Sequence, residues 1–342
     1  MDDPGPSYST QDIPATPSSQ AVDTVLAPAL LEFATRPTSL ALAAQAIPEV
    51  LTLKDLTAGI ENISGNPVGG GARGNVWTAL YIKEKVALKT IRASGRKWEK
   101  HFVRELRAWT GLSHPNLLPL YGVCTHGLSG LAMVSPWMDF GRILDYLNDH
   151  KEARRDPLIL GIAKGLCYLH TLEDPIAHGD LRAANVLVNA EHEACLADFG
   201  LARFVFTSQD TSESESGTQG NERWMPPERF SDTEMTSATS VTTVADVYAF
   251  GMVIYEIYTG LKPFHHVRNH FIVVRMVSAG DIMQRPTLEG TDTELWDGMW
   301  ALAEDCWKKE PHARPTAEEL VARVGVMVRD AVDQSLPPTK PQ

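Results

Sequence analysis

Apolar positions change period along this chain, and the changes mark its elements. Between residues 62 and 92, short apolar runs are broken by polar turns and glycines, which predicts strands. Tyr81-Ile82 and Val86-Ala87-Leu88 are two such runs, with a Lys-Glu-Lys turn between them. Over 97–110 the period lengthens: Phe102, Leu106 and Trp109 share one face, which predicts an amphipathic helix. Residues 131–134 predict another strand, Met138-Asp139-Phe140-Gly141 a turn, and Ile143, Leu144 and Leu147 the start of a helix. The stretches 158–170 and 243–260 are apolar nearly all round, as buried helices are. Between them, Val186-Leu187-Val188 and Cys195-Leu196-Ala197 flank a polar turn and predict two short strands. Further helical patterns cover 270–279, 293–307 and 316–328.

The ends follow different rules. Residues 1–25 are rich in proline, serine and threonine and offer almost nothing to bury, so a disordered arm is expected. Leu30, Leu31, Phe33, Leu40, Leu42 and Ala43 set 26–61 apart as a short helical or linker segment, expected to pack on a main domain over 62–332. A regulatory protein partner for this segment is the alternative. Residues 333–342 read as a disordered tail.

The 342 residues are 43% hydrophobic with a net charge of -12, which argues for a substantial core and against nucleic acid as a partner. Cys124, Cys167, Cys195 and Cys306 are scattered without metal-ligand spacing and read as reduced, buried thiols. Met1 is not followed by a basic-then-apolar leader, and the longest apolar runs are too short or too broken to cross a bilayer. Membrane insertion is therefore not expected. A cytoplasmic location is expected, with the nucleus as second choice.

Candidate chemistry concentrates between His178 and Gly200, HGDLRAANVLVNAEHEACLADFG. The strand-turn-strand reading places Asp180, Asn185 and Asp198 on one rim. Two carboxylates and a carboxamide suit a hydroxyl nucleophile and a hard, oxygen-seeking cation such as Mg²⁺. Upstream, VGGGARGNVW fits G-x-G-x-x-G-x-V at Gly69, Gly71, Gly74 and Val76, so backbone N–H groups can approach a phosphate. Taken alone, such a cluster is as readily a plain turn, Lys89 a solvated strand end, and Glu105 an ordinary helix-surface charge.

Together, in this order, these residues resemble the protein kinases, specifically the tyrosine-kinase-like group. The phrases ERWMPPE, DVYAFGMVIYEIYTG and CWKKEPHARPT carry that finer likeness. The resemblance implies an α+β, two-lobed fold: a small antiparallel β lobe with one main helix, and a larger helical lobe. It implies ATP between the lobes. Lys89, oriented by Glu105, would hold the α- and β-phosphates. Asp198 and Asn185 would bind Mg²⁺, and Asp180 would accept the substrate proton. Val76, Ala87 and Leu187 would sandwich adenine beside Ser135. Pro136 has no N–H, so Trp137 or Met138 would donate to the base. It also implies a Glu228–Arg314 pair, a stack of Trp109, Leu120, His178 and Phe199, and an Asp246 that holds the backbone at His178 and Gly179. A helix cap is the plainer role for Asp246.

Three positions depart from the family pattern. Gly179 stands where an arginine usually receives an activation-segment phosphate, Asn221 where serine/threonine kinases commonly have threonine, and Pro226 where alanine precedes Pro-Glu. Arg182-Ala183-Ala184 resembles the loop of cytoplasmic tyrosine kinases. The expected activity is phosphoryl transfer to protein substrates, with serine/threonine favoured. Tyrosine or dual specificity is one alternative, and a catalytically silent nucleotide-binding scaffold another. Trp109 is large for its place, and sequence leaves open whether it supports or crowds the active arrangement.

Overall fold

Strands β1 (Ile60–Glu61), β2 (Gly69–Gly70), β3 (Gly74–Tyr81), β4 (Glu84–Ile91), β5 (Gly122–His126) and β6 (Gly130–Pro136) form one antiparallel sheet. Its order is β1-β3-β4-β6-β5, with β2 also paired to β3. The computed structural model describes residues 53–70, 74–91, 96–126, 130–204, 221–230, 241–287 and 293–335. The predicted arm 1–25, the apolar residues 26–47, Gly71, most of the acidic stretch 207–222 and the end 336–342 lie outside the described residues.

Alternation along the strands gives the sheet two apolar faces. On one, Ala79, Val86, Leu88, Cys124, Ala132 and Val134 join Leu56 in a small core of their own. The other face belongs to the main core, together with helix α1 (Arg96–Trp109), whose Phe102, Leu106 and Trp109 are buried as their spacing predicts. One local reading needs correction. The β3–β4 turn falls on Ile82 and Lys83, at φ 51° and 68°, and β4 already starts at Glu84. Positive φ at both central positions is the signature of a type I′ two-residue hairpin, and this register keeps Val86 and Leu88 facing inward.

The large lobe contains α2 (Ile143–Asp149), α3 (Arg155–His170), α4 (Thr243–Thr259), α5 (His270–Ala279), α6 (Thr293–Cys306) and α7 (Ala317–Ser335). Two-stranded ribbons pair β7 (Ile176–Ala177) with β10 (Arg203–Phe204), and β8 (Val186–Val188) with β9 (Ala194–Leu196). The last helix continues to Ser335, so residues 333–335 are helical rather than part of a tail. The fold is thus two-lobed, a small antiparallel β lobe joined to a larger helical one.

Helix α4 is the axis of the large lobe. Thr242 caps its start by accepting from the Ala245 N–H, Gly260 ends it at φ 69°, and every residue from 246 to 258 is buried. Two of those buried residues are acidic, and both hold backbone. Asp246 accepts from the N–H groups of His178 (2.7 Å) and Gly179 (2.9 Å) and contacts His170 Nε2 at 3.0 Å. The cap is Thr242, so Asp246 is a loop anchor. Glu256 Oε2 accepts from the Ala183 N–H (2.8 Å) and Trp224 Nε1 (2.9 Å). Nearby, Arg314 donates to both carboxylate oxygens of Glu228, at 2.7 and 2.8 Å, and its guanidinium lies over the Tyr248 ring. A fork-to-fork pair of this kind fixes orientation as well as distance.

Burial pushes the Glu256 carboxyl up to about 7, against the hydrogen bonds from Ala183 and Trp224. The folded chain therefore binds a proton here that the unfolded chain releases near 4.5. Stability linked to this group falls as pH rises from about 4.5 through 7 and is level above it. Glu256→Gln keeps an acceptor without the charge, so its melting temperature relative to wild type should rise between pH 5 and 8. Glu256→Leu leaves two buried N–H donors unpaired at about 1–3 kcal/mol each, and should melt at least about 4 °C lower throughout. Thermal scans of the three proteins across that range test both statements.

Candidate active site

Three charged side chains from three elements meet between the lobes. Strand β4 delivers Lys89, α1 delivers Glu105, and the turn after β9 delivers Asp198. Lys89 Nζ pairs with Glu105 Oε1 and lies 2.7 Å from Asp198 Oδ1. Glu105 is 1% exposed, so its carboxylate depends on this ammonium. Burial by itself would push Lys89 down. The two carboxylates outweigh it and hold the lysine above its ordinary range, charged throughout the physiological window. Asp198 sits at φ 67°, an uncommon left-handed conformation for a non-glycine residue, and accepts from the Gly200 N–H. Arg104 of α1 donates to the Gly200 carbonyl at 3.0 Å, a second tie between the helix and this turn that the spacing had not flagged.

The loop before β8 presents Asp180 and Asn185. Asn185 Nδ2 donates to the Asp180 backbone carbonyl at 2.8 Å, which leaves its amide oxygen as the end available to a cation. Its own carbonyl accepts from the Ala197 N–H, so the ligand loop and the Asp198 turn are stitched together. His178 is fully buried, with Nδ1 facing the Asp180 N–H and Nε2 facing the Ala197 carbonyl. Around it three members of the expected stack meet: His178 to Phe199 at 5.5 Å and Phe199 to Trp109 at 5.7 Å between ring centroids, while Leu120 is partly buried against the same core. Trp109 is buried and donates Nε1 to the Leu118 carbonyl at 2.6 Å. It packs beside Phe199 with the Lys89–Glu105 pair intact, so it supports the arrangement.

Asp180 is approached from two sides. Asn221 Nδ2 donates to its Oδ1 at 2.6 Å, and Arg182 Nε stands 3.8 Å from the same oxygen, with the guanidinium over the Trp224 ring. The departure at Asn221 therefore still supplies a donor to Asp180. Arg223 turns away: its guanidinium donates to the carbonyls of Pro263, Phe264 and Val267.

The positions expected to face a nucleotide lie together in the sheet register. Val76 opposes both Gly69 and Lys89 in the sheet register, and Ala87 opposes Ser135. Val76, Ala87 and Leu187 are partly buried, as the walls of an open cleft would be, and Ser135 is buried. At the hinge, the Trp137 N–H donates to the Lys85 carbonyl at 3.2 Å, which commits one of the two expected donors to the sheet. The Trp137 ring instead carries the Lys85 ammonium at 4.2 Å from its centroid. Among the glycines, a Cβ at Gly74 would lie 2.4 Å from the Thr90 carbonyl oxygen, and Gly70, at φ 147°, would meet Gly74 O at 2.5 Å. Gly69 has room for a Cβ. Gly70, which falls at an unconstrained position of the glycine motif, is thus a required glycine. Glu256 was equally hidden, because a carboxylate in an all-apolar helix gives no local sign of what it holds.

This donor set fits Mg²⁺ with a nucleotide triphosphate. Magnesium is typically held by one or two carboxylates together with phosphate oxygens and water, and Asp198 with the Asn185 oxygen supplies such a partial set. Among the described residues no group of three or more His, Cys, Asp or Glu could form an all-protein metal cage. The four cysteines are free thiols; Cys124, Cys195 and Cys306 are buried as expected, with burial raising Cys124 to about 11 and Cys195 to about 12, whereas Cys167 is only partly buried.

Comparison with known proteins agrees with this geometry. The family described as protein tyrosine and serine/threonine kinase matches residues 63–324. The Drosophila melanogaster tyrosine-protein kinase Btk is 31% identical over 271 residues, 77% of this chain and 31% of that protein. The human tyrosine-protein kinase TXK is 32% identical over 70% of this chain and 43% of its own length. The Arabidopsis thaliana serine/threonine-protein kinase STY17 is 29% identical over 78% of this chain and 44% of its own. This chain thus spans less than half of each of these relatives. The matched segment runs from the glycine strands to α7 and contains every residue of the constellation just described, so the chain belongs to the protein tyrosine and serine/threonine kinase family.

Proposed function

We propose that this chain is a Mg²⁺- and ATP-dependent kinase of protein hydroxyl groups, with serine and threonine favoured, in the tyrosine-kinase-like group. The observation that carries the catalytic reading is the intact Lys89–Glu105 pair facing Asp198, with Asp180 and Asn185 beside it. Mg²⁺-ATP supplies the phosphoryl group and offsets the charge that develops on it. Lys89, oriented by Glu105, holds phosphate oxygens; Asp198 and Asn185 hold the cation; Asp180 orients the substrate hydroxyl and takes its proton. The rest is positioning and preorganised charge. A silent scaffold has no use for a buried carboxylate matched to a buried lysine.

The serine/threonine preference is supported by the likeness of ERWMPPE and CWKKEPHARPT to the tyrosine-kinase-like group and by the serine/threonine kinase STY17 among the relatives, while Asn221, in place of the usual threonine, still donates to Asp180. Tyrosine specificity is the second reading, favoured by Arg182-Ala183-Ala184 and by the tyrosine kinases among the relatives. A cytoplasmic location belongs to the same proposal, supported by four free thiols. Among the described residues, no helix is long and apolar enough to cross a membrane.

Control of the acidic stretch 207–222 follows from Gly179. It stands at φ 76°, and a Cβ there would lie 2.7 Å from the Leu201 carbonyl oxygen. No arginine side chain leaves this position to receive a phosphate, and Arg223 is committed to carbonyls.

Purified chain with Mg²⁺-ATP and mixed serine, threonine and tyrosine substrates should transfer phosphate mainly to aliphatic hydroxyls. Asp180→Asn and Lys89→Met should each lose at least about 100-fold in kcat while melting like wild type. Equal incorporation by Asp180→Asn and wild type would reject the assignment. Asn221→Ala should lower kcat by about tenfold with KM for ATP unchanged, and Asn221→Thr should recover most of it, which peptide kinetics will show. Phosphatase treatment should leave turnover within about twofold, because no receptor for an activating phosphate is built at Gly179. Collapse of activity on treatment, restored by rephosphorylation, would contradict that.

A further inference from the structure

The chain has a net charge of -12, yet the stretch that leads into α5 and forms it is locally basic. Residues 257–280 contain neither aspartate nor glutamate, but hold Lys262, Arg268, Arg275 and three histidines. The three cations are exposed and make no ion pair among the described residues. Apolar side chains stand among them: Leu261 is 43% exposed, Ile272 41% and Phe271 85%. Phe271 and Arg275 are one helical turn apart on α5, and Ile272 lies beside them. The opposite side of α5 is buried through Val273 and Val277. A large aromatic left this open, with Arg275 one turn on and Arg268 three residues before it, has the composition of a binding surface rather than of a solvated helix.

Its position ties it to the site. Helix α5 packs against residues 222–224 and 227–230. His270 Nδ1 lies 3.1 Å from Glu222 Oε2, and the next residue, Asn221, donates to Asp180. The Arg223 guanidinium binds the carbonyls of Pro263, Phe264 and Val267 just before α5. The patch and the base Asp180 are therefore fixed relative to one another through a few residues. A polypeptide whose hydroxyl sits at Asp180 has the patch within reach of its flanking chain.

We propose that this face of α5 is the docking site for an acidic, leucine-bearing segment of the protein substrate, separate from its phosphoacceptor. The inference rests on the kinase reading. Charge complementarity selects the occupant: the net charge of the chain repels an acidic protein in general, while this patch attracts and orients it, so such a substrate binds in one register. The apolar part of the segment covers Phe271 and Ile272, and its carboxylates meet Arg268, Arg275 and Lys262. Tethering raises the effective concentration of the hydroxyl at Asp180 without a new contact there.

The test uses the full chain and two peptides. One is a short serine peptide that the enzyme phosphorylates; the other adds a Glu-Leu-Glu-Glu tail through a Gly-Ser linker of about ten residues. On wild type the tail should lower KM by about tenfold with kcat unchanged. Phe271→Ser, and Arg268→Glu with Arg275→Glu, should remove that advantage while KM and kcat for the short peptide stay within about twofold. A Lys-Leu-Lys-Lys tail should rescue the double variant, which also shows that it is folded. Fluorescence anisotropy of the labelled acidic tail reads the patch without catalysis. Transfer without tail binding would reject the docking site alone. Transfer to neither peptide would reject the kinase reading, and tail binding in that case would overturn the substrate as its occupant. Dimerisation of wild type that the double variant abolishes would assign the patch to a second copy and overturn the proposal. Tail affinity that rises when Asp210, Glu213 and Glu215 are neutralised would assign it to the chain's own acidic stretch, with the same consequence.

Discussion

A single buried ammonium joins the two lobes. Lys89 is held by Glu105 from the small lobe and Asp198 from the large one, and each partner depends on it. Glu105 is almost fully buried, and removing the lysine would take away the opposite charge that faces its carboxylate. The lysine in turn stays charged in spite of its burial because two carboxylates face it. Much of the architecture serves to bring these three groups together. The β3–β4 hairpin sets the register that points Lys89 inward, the apolar face of α1 sets the position of Glu105, and the Phe199 ring, wedged between Trp109 and His178, sets the Asp198 turn.

The large lobe solves a second problem: how to hold an irregular loop whose backbone N–H groups are buried. Buried N–H groups need acceptors, and a tight loop cannot supply all of them itself. Two carboxylates from α4 do so, Asp246 for His178 and Gly179, and Glu256 for Ala183. Glu256 also holds Trp224, so the loop carrying Asp180 and the segment carrying Asn221 hang from one helix. The position of Asp180 is thus decided by an apolar helix with two acidic interruptions. That same coupling continues through Arg223 to α5, and it gives the exposed patch around Phe271 a fixed relation to Asp180.

The departures at Gly179 and Asn221 have different weights once seen in place. Asn221 is compatible with the geometry because an amide can donate to Asp180 much as a hydroxyl could. Gly179 is a real change, since its left-handed backbone and the nearby Leu201 carbonyl leave no path for a side chain. It leaves the Asp180–Asn185 unit untouched and alters what can regulate it.

By itself the sequence determined the lobe plan, the helices and most strands, and it singled out the candidate site residues. Those depend on period, turn chemistry and local spacing, which act over a few residues. Phe102, Leu106 and Trp109 declare a buried helix face without any structure. The pairings were readable only by family likeness, since Lys89 is 16 residues from Glu105 and 109 from Asp198, and nothing local encodes such distances. Other features had no signal at all. The commitment of the Trp137 N–H to Lys85, the need for glycine at position 70, and the role of Glu256 all arise where distant backbone or side chains approach. The β3–β4 turn slipped to Ile82-Lys83 because the burial of Val86 and Leu88 outweighed the turn propensity of the Lys-Glu-Lys triplet. Tertiary structure alone decided these points, because each is a competition for one donor, one volume or one face, and the competitor lies far away in the chain.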